Sequence, residues 1–288
     1  MNFSDWWQGA RPHTWSNAIA PVCAGTAVAV FYGGFRPGFA LAALVVAWAL
    51  IVGVNYANDY SDGIRGTDDV RTGPGRLTAS GKVNPKAVKY AAFAFFGLAG
   101  VVGLVISILV APWIILVGAV CILAAWFYTG GKNPYGYRGF GELAVFIFFG
   151  LVAVMGTEFI QRGTVSFLGL AFAVAIGAFS SSVNLVNNLR DIPEDKESGK
   201  ITLAVRLGDA RTRSLYFLLN AVPYVLTIIV ALVSDPWFLV CLAALPLSVV
   251  AARPIRNGAL AKELIPVLGL TGRAMLLWSV LGFLIAAL

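Results

Sequence analysis

Charge is scarce in this chain. Only 12% of its 288 residues are charged, against 59% hydrophobic. Soluble domains carry about a quarter charged residues, so a soluble globular fold is excluded. Histidine occurs once, as His13, and cysteine three times, as Cys23, Cys121 and Cys241. The cysteines stand in apolar runs without paired spacing, so neither a disulfide framework nor a zinc site is expected. A lone histidine at the start of an apolar run reads as an ordinary hydrogen-bonding residue, and no strong general base is visible. The N-terminal stretch around Trp6 and Trp7 lacks the layout of a cleavable signal peptide.

Long apolar runs are abundant. A run of roughly 17–25 apolar residues can cross a bilayer as a helix. Nine qualify: 14–32, 38–60, 86–109, 111–129, 140–160, 165–188, 211–233, 235–252 and 270–288. They are continuous rather than alternating, which excludes a β-barrel. The expectation is an all-α, multi-pass membrane protein of nine transmembrane helices, forming one domain over residues 1–288.

The basic residues give this topology an orientation. With nine spans, alternate loops fall on opposite sides, and only Arg36 and Arg162 of the 21 basic residues fall on one of them. The excess on the other side places it in the cytoplasm, with the N-terminus. The net charge of +7 is thus a topology signal. Nucleic acid is not an expected partner, because the basic residues lie in short loops; the lipid bilayer is.

Two acidic clusters stand about 130 residues apart on that same side. The first is Asn55-Tyr56-Ala57-Asn58-Asp59-Tyr60-Ser61-Asp62; the second is Asn187-Asn188-Leu189-Arg190-Asp191-Ile192-Pro193-Glu194-Asp195. Carboxylates at the membrane edge are costly and mark function by default. Asn55, Asp59 and Asp62 share one helical face by spacing, as do Asn187, Asp191 and Asp195. Gly63 is the expected helix cap after the first cluster. Pro193 is expected to end or kink the helix near Asp191, with Asp195 returning from the loop. Asp and Asn together are hard oxygen ligands that suit Mg²⁺ bridged to a phosphate group. Basic residues complement them: Arg65, Arg71, Arg76 and Lys82 follow the first cluster, and Arg190, Lys196, Lys200 and Arg206 surround the second. Arg76 and Lys132, each in a glycine-containing turn, are singled out as diphosphate contacts.

The clusters resemble the two Asn-x-x-x-Asp-x-x-x-Asp motifs of the UbiA superfamily of intramembrane prenyltransferases. Asn187, Asp191 and Asp195 fit that pattern. Asn55 and Asp59 fit it, but Asp62 comes one position early, leaving Asp62, Asp68 or Asp69 to complete the first motif. The likeness continues in Arg11-Pro12-x-Thr14, Gly66-Thr67-Asp68, Gly73-Pro74-x-Arg76-Leu77 and Tyr137-Arg138-Gly139-x-Gly141-Glu142, and is closest to the branch that uses 1,4-dihydroxy-2-naphthoate.

That resemblance implies a UbiA-type bundle around a central cavity. It also implies transfer of a prenyl group from polyprenyl diphosphate to the naphthoate, with loss of CO₂ and diphosphate. Mg²⁺ would be held by Asp59, Asp62, Asp191 and Asp195. Asp59, Asp191, Lys132 and Tyr128 are the candidate catalytic residues. Asn55, Asn187, Arg76, Arg190 and Tyr135 are candidate substrate contacts, with Arg138 or Arg11 for the acceptor carboxylate. A dry, aromatic pocket for an allylic cation draws on Tyr56, Tyr60, Phe127, Tyr128 and Tyr135. Two rival readings are a prenyltransferase for another aromatic acceptor, such as 4-hydroxybenzoate, and a secondary transporter. The transporter fits poorly, because the acids gather at one membrane face rather than near the midplane.

Overall fold

The computed structural model of the protein describes residues 3–67 and 76–288. Asp68, Asp69, Arg71 and the Gly73-Pro74-Gly75 turn lie outside the described residues. The described residues are helices and turns, with no strand among them.

A short helix α1 (Phe3–Ala10) leads through a turn into α2 (Ser16–Phe31), the two bent by 45°. There follow α3 (Pro37–Arg65), α4 (Pro85–Leu109), α5 (Ile114–Phe127) and α6 (Gly141–Arg162). The second half comprises α7 (Phe167–Arg190), short α8 (Ile192–Glu197) and α9 (Leu203–Leu207), then α10 (Asp209–Val233), α11 (Pro236–Arg256) and α12 (Ala261–Ala286).

The expected runs all fold as helices, but the count of nine spans is not reached. Seven described helices are long and apolar enough to cross a membrane, or eight if α1 and α2 form one bent span. The shortfall is α5. Its run opens in a turn around Pro112, and only 14 residues are helical. At 1.5 Å per residue it reaches about 21 Å, less than a hydrocarbon core of about 30 Å.

Helix α7 is the hub, with 78% of its most apolar stretch buried against 28% for α3, α4 and α6. It carries serine and alanine inward (Ala173, Ala178, Ser180, Ser181, Ser182 are buried). Small side chains of this kind let helices approach closely where lipid removes the usual hydrophobic drive. One close approach is at Gly150, in a π-helical stretch of α6 from Phe146 to Met155. A Cβ there would lie 2.6 Å from both the Ala173 carbonyl and the Gly177 Cα. With its back to α7, the same stretch turns Phe148, Phe149 and Val152 into a central cavity.

Substituting Gly150 by Val should therefore overpack α6 against α7 and destabilise the protein by about 1–3 kcal/mol. Gly97→Ala, on a face of α4 with open space around it, should be neutral or slightly stabilising. Thermal unfolding in detergent checks both, and an unchanged midpoint for Gly150→Val would remove this contact from the stability of the bundle.

Candidate active site

The first motif ends α3. The helix continues past the expected cap at Gly63 to Arg65 and is closed by Gly66 at φ 74°. Gly63 instead makes room for a neighbour, since a Cβ there would lie 2.5 Å from the Thr78 side chain. Asn55 donates to the Ala10 carbonyl at 3.1 Å and to Thr14 Oγ1 at 3.0 Å. Asp59 accepts the backbone N–H of Leu77 at 2.9 Å and of Thr78 at 2.8 Å. It thereby anchors the turn that follows Arg76. Asp62 Oδ1 accepts the Tyr137 hydroxyl at 2.6 Å.

The second motif straddles a break, as Pro193 implied. Helix α7 stops at Arg190, Asp191 sits at the junction, and Pro193 opens α8. Arg190 folds back on its own motif. Nε donates to Asp191 Oδ1 at 2.5 Å, and Nη2 donates to Oδ2 at 2.7 Å and to Asn187 Oδ1 at 2.8 Å. This bidentate geometry is the strong form of a charge-assisted pair. Asp195 receives the Lys200 ammonium at 3.2 Å and Thr202 Oγ1 at 3.3 Å.

The segment between α5 and α6 ties the two motifs together. Arg65 donates to the carbonyls of Thr129 and Gly131, and Thr129 Oγ1 donates to Asn58 at 2.8 Å. Tyr137 stands between Arg65, 5.3 Å from its ring centroid, and Lys200, 5.5 Å away. Its carbonyl accepts the Ile201 N–H at 3.0 Å. A chain of direct contacts thus runs Asp62, Tyr137, Lys200, Asp195. Burial, and then the Asp62 carboxylate, push the Tyr137 phenol well above its ordinary range, so it stays protonated and donates. Neighbouring Tyr135 is pushed up to about 12 by burial; it packs edge-on against Tyr128 with ring centroids 5.5 Å apart.

Beneath this polar layer lies a cavity of about 610 Å³. Its mouth is lined by Arg11, Asn55, Asp62, Arg76, Asn187 and Lys200, with Tyr128 and Tyr135 on the wall. Its far end is apolar, reaching Val22, Ile106 and Ile160. Seven of the residues singled out from the sequence therefore meet around one space: Arg11, Asn55, Asp62, Arg76, Tyr128, Tyr135 and Asn187. Asp59, Arg190, Asp191 and Asp195 are buried beside it. Lys132 and Arg138 are exposed and outside the cavity lining. Among the aromatics, Tyr56 is bonded to the Trp6 carbonyl at 2.8 Å, Tyr60 stacks on Trp126, and Phe127 is exposed. Phe148 and Phe149 line the cavity in their place. Sequence reading gave no individual role to Tyr137 or Asn184. Tyr137 carried only a weak signal, as part of the Tyr-Arg-Gly stretch, and Asn184 carried none.

The donor set fits a hard cation. It is all oxygen, it is buried, and Asp62 faces the cavity. Among the described residues no three acidic, histidine or cysteine side chains form a closed metal cage. Mg²⁺ takes one or two carboxylates and completes its shell with water and substrate phosphate, a need that Asp62 at the cavity could serve.

A polar mouth with two aspartate motifs, over an apolar chamber within a helical membrane bundle, is the architecture of an intramembrane prenyltransferase. Residues 18–263 match the UbiA prenyltransferase family, and the chain belongs to that family. It is 58% identical over 278 residues to the 1,4-dihydroxy-2-naphthoate octaprenyltransferase of Mycobacterium tuberculosis, covering 96% of this chain and 95% of that one. It is 37% identical over 215 residues to the Escherichia coli protein of the same name, covering 72% and 70%. Among solved structures, a UbiA homolog from Archaeoglobus fulgidus bound to GPP and Mg²⁺ shares the fold. Its TM-score is 0.69 at 15% identity, over 99% of this chain and 100% of that one.

Asp59 has a structural duty besides any ligand role. Asp59→Ala leaves the Leu77 and Thr78 N–H groups without their acceptor, at a cost of about 2 kcal/mol. Limited proteolysis should then cut within residues 76–84 faster than in Asp62→Ala. Equal cleavage in the two variants would remove the anchoring role.

Proposed function

We propose that this protein transfers a polyprenyl group from polyprenyl diphosphate to 1,4-dihydroxy-2-naphthoate, with loss of CO₂ and diphosphate, giving a demethylmenaquinol. The observation that carries the reading is the division of the cavity, with an anion-binding mouth above a long apolar chamber. One molecule with a diphosphate head and a hydrocarbon tail matches both parts. The naphthoate acceptor is supported by the identity to relatives of that name along nearly the whole chain.

Asn55 and Asn187, one turn deeper than the aspartates, frame the head group. Arg76 and Lys200 at the mouth supply positive charge to it, and Lys132 approaches from the turn that Arg65 holds. Asp59, Asp62, Asp191 and Asp195 would hold Mg²⁺. When bound, the metal stabilises charge on the departing diphosphate as a Lewis acid. Tyr128 and Tyr135 face the carbon from which the diphosphate leaves, and their π faces favour a developing allylic cation. The apolar walls keep water away from it. Between the two arginines considered for the acceptor carboxylate, Arg11 is favoured. It lines the cavity, its Nη2 is buried without a partner, and its backbone is held at φ 49°. Backbone strain of that kind gathers at functional sites. Arg138 points to solvent. The charge distribution supports a cytoplasmic mouth, and residues 1–288 act as a single membrane domain.

Purified protein in detergent, given 1,4-dihydroxy-2-naphthoate and a polyprenyl diphosphate, should form a decarboxylated prenyl product that disappears with chelator. Product from 4-hydroxybenzoate alone would reject the naphthoate assignment. Asp191→Ala should lose at least about 100-fold in kcat, because it removes a charge-stabilising ligand of the transition state; retention of more than a few per cent of activity would remove it from the site. Lys132→Ala should raise KM for the diphosphate more than for the aromatic, and an unchanged diphosphate dependence would exclude Lys132.

A further inference from the structure

One wall of the cavity holds two polar atoms without partners, and they are of opposite kind. Asn184 Nδ2, a donor, and Glu142 Oε2, an acceptor, are both buried and unbonded. They belong to one cluster. A Cβ on Gly141 would lie 3.0 Å from the Tyr128 hydroxyl and 3.2 Å from Asn184 Nδ2, so the orphan donor abuts the residue preceding Glu142. Tyr128 donates to Asn184 Oδ1 at 3.4 Å. One turn along the same face of α7, Asn188 donates to Glu142 Oε1 at 2.7 Å. Tyr128, Asn184 and Asn188 all line the cavity, and Glu142, 5% exposed, stands behind them.

Burying an unpaired polar group costs about 1–3 kcal/mol, and two side by side call for a ligand that satisfies both. A diphosphate would be repelled by the Glu142 carboxylate. A cation would suit Glu142 but not the N–H of Asn184. A prenyl tail has no polar atom. A hydroxyl both donates and accepts, and so pairs with both.

We propose that Glu142 and Asn184 form the subsite for a ring hydroxyl of the aromatic acceptor, a reading that rests on the prenyl-transfer function above. The hydroxyl donates to Glu142 Oε2 and accepts from Asn184 Nδ2. Asn188 fixes the carboxylate by its other oxygen, and Tyr128 fixes the Asn184 amide. Asn184 lines the cavity, and Glu142 is reached past it. The contact sets which ring edge faces the prenyl donor. Drawing on the O–H also raises electron density in the ring, which aids attack on the allylic carbon.

The test is binding of three probes to detergent-purified protein without prenyl donor, by titration calorimetry. The probes are 1,4-dihydroxy-2-naphthoate, 1-hydroxy-2-naphthoate and 4-hydroxy-2-naphthoate. Wild type should bind the dihydroxy compound about ten-fold more tightly than the probe lacking the docked hydroxyl. In Asn184→Asp, isosteric but without the donor, and in Glu142→Gln, without the free acceptor, that preference should fall below about three-fold. A preference that persists in both variants, with unfolding midpoints like wild type, would overturn the subsite alone and assign the orphan atoms to an occluded water. Wild type that binds no naphthoate would overturn the prenyl-transfer reading and the subsite together.

Discussion

Four aspartates are held at the edge of an apolar bundle, and most of the local structure answers to that constraint. An unpaired carboxylate there costs several kcal/mol, so each has partners within the chain. Asp59 takes two backbone N–H groups, Asp62 takes Tyr137, Asp191 takes two N–H groups from one edge of Arg190, and Asp195 takes Lys200. The partners come from four separate segments. Satisfying the charges therefore also folds the turn after Arg76, the segment between α5 and α6, and the break between α7 and α8 over the cavity.

Much of this was legible in the sequence, and the reason is periodicity. The apolar runs and the positions sharing a helix face follow from 3.6 residues per turn. So does the convergence of Asn55, Asp62 and Asn187 on one space. Pro193 marks its own helix break. Contacts between loops follow no such period. Tyr137 reaches Asp62 across 75 positions of chain, and nothing in the spacing of either residue announces it. The aromatic residues show the same limit. Tyr56 and Tyr60 sit within the first motif in sequence but pack elsewhere, and Phe127 is exposed, whereas Phe148 and Phe149, in the π-helical stretch, line the cavity.

An acid within helix α6, Glu158, has a local partner. Glu158 is fully buried, but it pairs with Arg162 one turn along the same helix, and Arg162 lies 4.2 Å over the Tyr32 ring. This is an intrahelical pair at the end of α6, away from the aspartate motifs. Family membership points the same way, so the polar chemistry of the molecule is concentrated at one membrane face.

Helix α5 has one more consequence. It buries none of its residues and is too short for an ordinary bilayer. The mismatch must be absorbed by thinning of the lipid beside it, or by the helix end sitting below the headgroups. The second response brings Tyr128 and the turn that follows it toward the depth of the acyl chains. A hydrophobic donor dissolved in the leaflet and a charged acceptor arriving from water then meet at one level, and neither has to cross a dielectric boundary unaided. Turnover is then expected to vary with the thickness of the surrounding bilayer.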